Sequence, residues 1–175
     1  MLDFSNSKIL IVGDVMLDKY YFGKVDRISP EAPVPIVNIQ KEESRLGGAS
    51  NVANNIVSLG GHSLLCGVIG HDLFGKEIER ISRHKNIDTF LLKTSSPTIT
   101  KARIIGGKQQ IVRVDYEDKS ELNADNKKLF RDTISRILPE YDILVISDYG
   151  KGLISEDLCR YLIKLAHKYL SLIHI

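Results

Sequence analysis

Three short apolar runs, at residues 8–13, 64–70 and 142–147, constrain the fold more than any other feature of the sequence. The runs are rich in Ile, Val and Leu and lack the polar alternation of a strand with one face in water. Such runs are typical of strands that are covered on both faces, as in a parallel sheet. The sequence therefore predicts a sheet with helices on both of its sides.

Segments with helical spacing lie between and after these runs. Apolar residues recur at helical intervals in residues 51–59, 74–81, 129–137 and 158–169. Ser155 is a suitable N-cap for the last of these helices. Alternating strands and helices predict an α/β fold with a mainly parallel sheet.

Two β-rich stretches interrupt this alternation. Residues 20–40 contain strand-forming side chains but also three prolines between positions 30 and 35, which a central strand cannot accommodate. Residues 98–114 predict a hairpin that turns at Gly106 and Gly107. The two stretches are either irregular edges of one mixed sheet or a small β-lid over the carboxyl ends of the parallel strands. The motifs described below favour the lid.

The composition excludes several classes of protein. With 24 Lys and Arg against 22 Asp and Glu, the formal net charge is +2, which argues against a dedicated nucleic-acid binder. A hydrophobic content of 43% excludes general disorder, and no apolar run approaches the ~20 residues of a membrane helix. Cys66 and Cys159 lie in apolar patterns, and no Cys/His cluster has zinc spacing. We expect a cytoplasmic protein without a nucleic-acid partner, a membrane partner or a metal site.

The last residues carry an apolar segment that follows the final helix. That helix ends near Tyr169, and residues 170–175 begin what could be another strand. An α/β sheet that stops there leaves the strand without a helix to cover it. We therefore expect this chain to be the front part of a longer protein.

Two acidic residues, Asp14 and Asp18, follow the first buried run. Ligands of parallel sheets bind at the carboxyl ends of the strands, and carboxylates accept hydrogen bonds from sugar hydroxyls. The alternative is that Asp14 caps a local turn. Neither the dinucleotide fingerprint nor the Walker phosphate loop occurs in the sequence.

The segment Leu-Gly-Gly-Ala-Ser-Asn at 46–51 is the second candidate site. Gly47 and Gly48 allow a ligand to approach the backbone closely, and the helix that follows directs free N–H groups towards it. Asn51 can both donate and accept a hydrogen bond. The alternative is an ordinary loop before a helix, with glycines that serve packing.

The motifs resemble those of the ribokinase-like (PfkB) sugar kinases, up to about Tyr169. The resemblance is carried by Val-Gly-Asp-Val-Met-Leu-Asp at 12–18, Arg-Ile-Ser-Pro-Glu-Ala-Pro-Val-Pro at 27–35 and Gly-Gly-Ala-Ser-Asn-Val-Ala at 47–53, with further likeness at 97–103, 109–115 and 147–152. The proline-rich block at 27–35 is most similar to the members that act on a heptose 7-phosphate.

The resemblance implies an α/β ribokinase-like fold, with residues 1–175 as the N-terminal part of a kinase domain. The β-lid would comprise about 20–40 and 98–114, and the C-terminal ATP-binding half would be absent. The implied activity is ATP-dependent phosphorylation of the anomeric hydroxyl of D-glycero-β-D-manno-heptose 7-phosphate, which feeds ADP-heptose into the lipopolysaccharide core. The alternatives are another PfkB kinase for a pentose or hexose and a non-catalytic sugar-phosphate binding module.

The resemblance also implies roles for particular residues. Asp18, Gly47, Gly48 and Asn51 would bind sugar hydroxyls. Lys101 and Arg103 are alternate residues of one predicted strand and would face the ligand, where a 7-phosphate needs cations. Asp148 and Lys151 would reach the same crevice. The alternative for Lys101, Arg103, Arg113 and Lys151 is a solvated basic side chain.

The catalytic part of the family pattern is missing from these 175 residues. The family uses an Asp base in a Gly-Ala-Gly-Asp motif, and the sequence contains no such motif. The resemblance therefore implies ATP and Mg²⁺ as cofactors of the full-length enzyme, with none bound by this chain alone. It also implies a homodimer that pairs through the lids. We expect the 175-residue chain by itself to lack kinase activity.

Overall fold

The computed structural model describes residues 4–118, 120–169 and 172–174. The first half contains β1 (Lys8–Gly13), β2 (Val15–Ile28), β3 (Pro35–Gly48), α1 (Ala49–Ser58), β4 (His62–Gly70), α2 (Leu73–His84) and β5 (Asp88–Thr94). The second half contains β6 (Thr100–Gly106), β7 (Gln109–Tyr116), α3 (Ala124–Ile137), a 3₁₀ turn (Leu138–Glu140), β8 (Ile143–Ser147), α4 (Glu156–Lys168) and β9 (Leu172–His174).

The main sheet has the strand order β5-β4-β1-β8-β9, and each neighbouring pair is parallel. The central strand β1 aligns Val12 with Cys66 on β4 and with Ile146 on β8. Leu10 and Val12 are fully buried, as expected for a strand covered on both faces. The prediction of a mainly parallel sheet is confirmed.

Helices cover both faces of this sheet. One core combines Ile11 and Leu65 of the sheet with apolar residues of α1 and α2, such as Ala53 and Ile78. The opposite core contains Phe130 of α3 and other buried residues of α3 and α4 packed against β1 and β8. This arrangement confirms the α/β fold class.

The predicted lid is a separate four-stranded mixed sheet, with the order β3-β2-β6-β7. The pairs β2–β3 and β6–β7 are antiparallel, whereas β2 and β6 run parallel. Pro30 and Pro33 lie in the connection between β2 and β3, and Pro35 begins β3, which is an edge strand. Edge positions tolerate proline because no neighbour needs its N–H.

The lid is wider than the sequence predicted. It begins at Val15 and continues to Gly48, whereas the prediction placed its first part at about 20–40. The difference arises because β2 follows β1 after one residue, and its buried start at Val15 and Leu17 contributes to the core beneath α1. Residues 15–18 and 46–48, which lie outside the predicted bounds of the lid, are therefore strand residues.

One strand of the main sheet, β5, was not assigned from the sequence, whereas a strand after the last helix was anticipated. The edge strand β5 is partly exposed and lacks the uninterrupted apolar run of the central strands. Residues 172–174 form β9, parallel to β8; the remainder of the predicted segment, at positions 170, 171 and 175, lies outside the described residues. No helix in the described part of the chain is long and apolar enough to cross a membrane.

The predicted cap at Ser155 agrees with the structure, and of the two cysteines Cys66 is buried and Cys159 is half-buried. The Ser155 hydroxyl accepts a hydrogen bond from the backbone N–H of Leu158, as an N-cap does. Cys66 and Cys159 are both free thiols. Burial raises the pKa of the Cys66 thiol, which keeps it protonated.

Candidate functional site

Asp18 and Arg103 form an ion pair on the lid. Asp18 lies in β2, and Arg103 lies in the parallel neighbour β6, where the Arg103 Nη1 donates to the Asp18 Oδ1 at 2.5 Å. Both side chains are only about one-fifth exposed, with 23% for Asp18 and 21% for Arg103. The structure thus brings together a predicted hydroxyl-binding carboxylate and a predicted phosphate-binding guanidinium, and each partly neutralises the other.

The glycine pair closes tightly on this carboxylate and on the backbone beneath it. A Cβ atom on Gly47 would lie 2.6 Å from the Asp18 Oδ2. Gly48 has φ of 55°, and a Cβ there would lie 2.4 Å from the Asp14 carbonyl oxygen. Both positions therefore require glycine for close approach, which also agrees with the packing alternative.

Asn51 lies in the first turn of α1 and shares a cleft with Asp18. The cleft has a volume of about 600 Å³ and is also lined by Tyr20, Arg45 and Asn54. The carboxylate and the two amides offer acceptors and donors on neighbouring walls. This chemistry suits a ligand that carries several hydroxyl groups.

Lys101 lies beside Asp18 in the register of β2 and β6. Lys101 and Arg103 alternate along β6, so their side chains leave the sheet on the same face, as predicted. The Lys101 Nζ lies 6.0 Å from the centroid of the Tyr149 ring. Within the residues that the structure describes, no ion pair involves Lys101, so its charge is available to a ligand.

Asp148 and Lys151 lie in the loop after β8 and do not contact the Asp18 cleft. The Lys151 ammonium pairs with Glu117, and Lys151 lines a second cavity of about 610 Å³ together with Asp14. The Asp148 side chain is exposed and accepts a hydrogen bond from the Gly150 N–H at 2.8 Å. The role of these two residues in binding stays a prediction.

Asp14 joins the loop after β8 to the start of α1. Its Oδ2 accepts hydrogen bonds from the N–H groups of Tyr149 at 2.8 Å and Lys151 at 3.2 Å. Its backbone N–H donates to the Ser147 carbonyl, and its own carbonyl accepts from the Ala49 N–H. Asp14 is thus a cap, but of a loop far away in sequence. Burial raises the pKa of its carboxyl group, although the two N–H groups act in the opposite direction.

Two residues of the cleft were missed by the sequence analysis. The Tyr20 ring lies next to two guanidinium groups, at 4.8 Å from the Arg45 Cζ and 5.2 Å from the Arg103 Cζ. Arg45 precedes the glycine pair by two positions, so alternation along β3 places it on the same face as Gly47. That alternation was the available signal, but Arg45 lies outside the predicted bounds of the lid.

The described residues offer no site for a metal ion. Residues 4–118, 120–169 and 172–174 contain no group of three or more His, Cys, Asp or Glu side chains that could hold one.

Several bacterial proteins are similar to this chain in sequence. The bifunctional protein HldE of Helicobacter pylori (strain P12) is 47% identical over 168 residues, which are 95% of this chain and 36% of that protein. The D-beta-D-heptose 7-phosphate kinase of Bordetella bronchiseptica is 46% identical over 151 residues, which are 86% of this chain and 48% of that protein. The chain thus spans between a third and a half of the length of these relatives.

Solved structures share the fold. A carbohydrate kinase from Agrobacterium tumefaciens matches 95% of this chain and 52% of its own, with a TM-score of 0.70 and 17% identity. Phosphofructokinase-2 from Escherichia coli matches 95% of this chain and 53% of its own length, with a TM-score of 0.68 and 19% identity. At these identities the likeness concerns the ribokinase-like fold alone. The model of the pfkB family of carbohydrate kinases matches residues 6–171, and this chain therefore belongs to that family.

Proposed function

We propose that this chain is the sugar-binding part of a kinase that phosphorylates the anomeric hydroxyl of D-glycero-β-D-manno-heptose 7-phosphate. The observation that carries the proposal is the identity of 46–47% over 86–95% of the chain with proteins named for HldE or heptose 7-phosphate kinase. Such a kinase would supply the heptose bisphosphate for ADP-heptose and the lipopolysaccharide core.

The cleft beside the glycine pair supports a sugar as the ligand. The Asp18 Oδ1 is held by Arg103, which fixes the carboxylate and leaves Oδ2 facing Gly47. A sugar hydroxyl would donate to this carboxylate, and Asn51, which lines the same cleft, would donate or accept a second hydrogen bond. Because the carboxylate is already oriented, binding costs little rotational freedom of the side chain.

Phosphoryl transfer requires more than these residues. Kinases of this family use ATP and Mg²⁺, and positioning and charge stabilisation provide most of the catalysis in phosphoryl transfer. We propose that the residues for those roles lie beyond position 175 in a longer protein. Reading the gene past codon 175 tests this point: a Gly-Ala-Gly-Asp segment supports it, and an immediate stop codon contradicts it.

Isothermal titration of the 175-residue chain with heptose 7-phosphate, fructose 6-phosphate and ribose tests the choice of sugar. We expect the heptose 7-phosphate to bind most tightly. Asp18→Asn should weaken that binding about 10- to 100-fold, because it removes a charge-assisted hydrogen bond worth about 1.5–3 kcal/mol.

Asp26→Asn is the matched control for this titration, since Asp26 lies on the same strand with an exposed side chain. It should leave the affinity unchanged. Preferential binding of ribose or fructose 6-phosphate would favour another PfkB kinase instead. Failure of every sugar to bind would overturn the proposal.

A further inference from the structure

We propose that the phosphate group of the sugar binds beside Tyr20, between Arg45 and Arg103, and that Arg45 sets the preference for a phosphorylated sugar. The inference rests on the proposed function, because it concerns one end of the same substrate. It names a subsite for a phosphate monoester and a residue, Arg45, that the resemblance did not implicate.

The strand register places the relevant side chains on one face of the lid. Asp18 is aligned with Arg45 on β3 and with Lys101 on β6, and Tyr20 is aligned with Arg103. Aligned residues of neighbouring strands point to the same face of a sheet, as do alternate residues of one strand. Arg45, Lys101 and Arg103 therefore surround the proposed sugar-binding carboxylate on three sides.

The Tyr20 ring holds two of these cations in place. The guanidinium carbons of Arg45 and Arg103 lie 4.8 Å and 5.2 Å from its centroid, within the range of cation–π contacts. A guanidinium that contacts a ring through its flat side keeps N–H groups free at its edge. Those edges can donate in pairs to the oxygens of a phosphate, which is the geometry that arginine provides and lysine does not.

Of the two arginines beside Tyr20, Arg45 has the positive charge that is less fully compensated. Arg103 is already paired with Asp18, so it offers a dianion little net attraction. Glu43, in contrast, is shared between Arg45 and Lys41, at 2.7 Å and 2.6 Å, so one carboxylate serves two cations. A sugar phosphate carries nearly two negative charges at pH 7. It would supply the negative charge that this group of side chains lacks.

The exposure of Arg45 is consistent with ligand binding. Its side chain is 60% exposed and already lines the cleft, so a ligand can reach the guanidinium without a change in the core. The cleft lined by Arg45, Asp18 and Asn51 is about 600 Å³, which accommodates a seven-carbon sugar phosphate.

The second cavity, at the carboxyl ends of β4 and β5, suits a dianion less well. Its two lysines are ion-paired, and three acidic side chains line its wall (Lys93 with Glu79, Lys151 with Glu117; Asp14, Asp118 and Glu121). A phosphate placed there would lie among three carboxylates, with both lysines already paired. The Tyr20 face is therefore the better site for the phosphate.

The test compares the affinities of the 175-residue chain for heptose 7-phosphate and for unphosphorylated heptose, by isothermal titration. We expect Arg45→Gln to weaken binding of the phosphorylated sugar roughly 10- to 30-fold and to change that of the free sugar less than about 2-fold. The affinity of Arg45→Lys for the phosphorylated sugar should lie between those of the wild type and Arg45→Gln, because lysine keeps the charge but lacks the paired donors. Raised salt should reduce the difference between the two sugars in the wild type.

Arg80→Gln is the matched control. Arg80 is 66% exposed and is paired with Glu77 on α2, so the variant removes the same charge from an equally exposed ion pair elsewhere. It should leave both affinities unchanged. Thermal unfolding followed by circular dichroism should show that Arg45→Gln and Arg80→Gln remain folded.

The outcomes separate this inference from the proposed function. Equal losses for both sugars, no loss in Arg45→Gln, or an equal loss in Arg80→Gln would overturn the role of Arg45. A wild-type chain that binds both sugars equally would overturn the phosphate subsite but leave sugar binding intact. A wild-type chain that binds neither sugar would overturn both proposals.

Discussion

The main sheet and the lid sheet differ in what covers their faces. In the main sheet, Leu10 and Ile11 point to opposite sides and both are 0% exposed, because helices lie above and below. In the lid, every residue of β7 is exposed, and the face around Tyr20 carries ion pairs instead of a packed helix. Burial of apolar area stabilises the first region, whereas the second leaves its surfaces free for a ligand or another chain.

The two sheets are joined at a small set of backbone contacts. The strand β2 leaves the main sheet directly after β1, and the carbonyl of Asp14 between them accepts from the first N–H of α1. Gly48 fits against that same carbonyl. Substitutions in the core, at these contacts between the sheets and on the lid should therefore have decreasing effects on stability.

The largest loss of stability is expected for Phe130→Ala. Phe130 is fully buried between α3 and the main sheet and contacts Phe90, with a ring centroid distance of 5.9 Å. Truncation of a buried phenylalanine lowers the free energy of unfolding by about 3–5 kcal/mol. Urea unfolding measures this loss of free energy. Leu129→Ala is the control, because Leu129 is 48% exposed and its truncation should cost less. A loss below about 1 kcal/mol would contradict the described core.

At the joint between the two sheets, where Gly48 contacts the Asp14 carbonyl, Gly48→Ala should lower the free energy of unfolding by about 2–4 kcal/mol and also abolish sugar binding. The residue has φ of 55° and ψ of −134°, which L-residues avoid, and the added Cβ would collide with the Asp14 carbonyl. The control is Gly107→Ala, whose φ is 62° but whose Cβ would meet nothing within 4 Å. It should cost about 1–2 kcal/mol and leave sugar affinity intact. Equal effects of both substitutions on sugar binding would argue against a special role for the joint.

Asp14 gives an intermediate effect that depends on its replacement. Asp14→Ala removes the acceptor of two backbone N–H groups and should cost about 1–3 kcal/mol in urea unfolding. Asp14→Asn keeps an oxygen for these groups and should cost less. Faster amide hydrogen exchange at Tyr149 and Lys151 in the alanine variant, and not in the asparagine variant, would locate the effect in this loop.

The pH dependence of Asp14 has a definite sign. Burial raises the pKa of its carboxyl above the usual value of 3.8. A raised pKa means that the stability contributed by this group is fully present below the unfolded pKa and is lost as the pH rises through the folded pKa. As the pH rises from 4 to 7, the free energy of unfolding of Asp14→Asn should therefore increase relative to that of the wild type. A difference that stays constant, or changes in the opposite direction, would contradict the assigned shift.

The regions that were predictable from sequence are those in which local patterns decide the structure. The buried runs around Leu10 and Leu144 predicted central strands, and Ser155 predicted a helix start, because burial and capping leave direct signatures. The lid was predictable in outline because prolines exclude a central strand. Its bounds were not, since β2 starts with buried residues like those of β1.

The site was predictable only in part because its contacts are non-local. Asp18 and Arg103 are 85 positions apart, and Asp14 and Tyr149 are 135 positions apart, so no spacing rule connects them. The resemblance singled out Asp18, the glycines and Arg103, but not that Asp18 and Arg103 neutralise each other. The positions of Arg45 and Tyr20 beside Asp18 and Arg103 depend on the register between strands, which sequence patterns alone do not determine.

The smallest change in stability is expected for substitutions on the exposed face of β7, where the lids of the proposed homodimer would pair. Val112 and Val114 on β7 are 44% and 40% exposed, and Val34, before β3, is 51% exposed, whereas Phe22 and Ile36 are already half-buried. Val112 and Val114 lie on one face of the edge strand β7, and exposed apolar residues on an edge strand are suited to pairing with a second lid.

Replacing both Val112 and Val114 by threonine keeps β-branched side chains and should change the free energy of unfolding by less than about 1 kcal/mol. In sedimentation velocity, the wild-type chain should run as a dimer. This double variant should dissociate into monomers at higher protein concentrations than the wild type does. Leu73→Gln, at a residue 78% exposed on α2, should leave the dimer intact and serves as the control. If the wild-type chain sediments as a monomer at every concentration, the proposed homodimer is contradicted, and the exposed valines of β7 do not form a dimer interface.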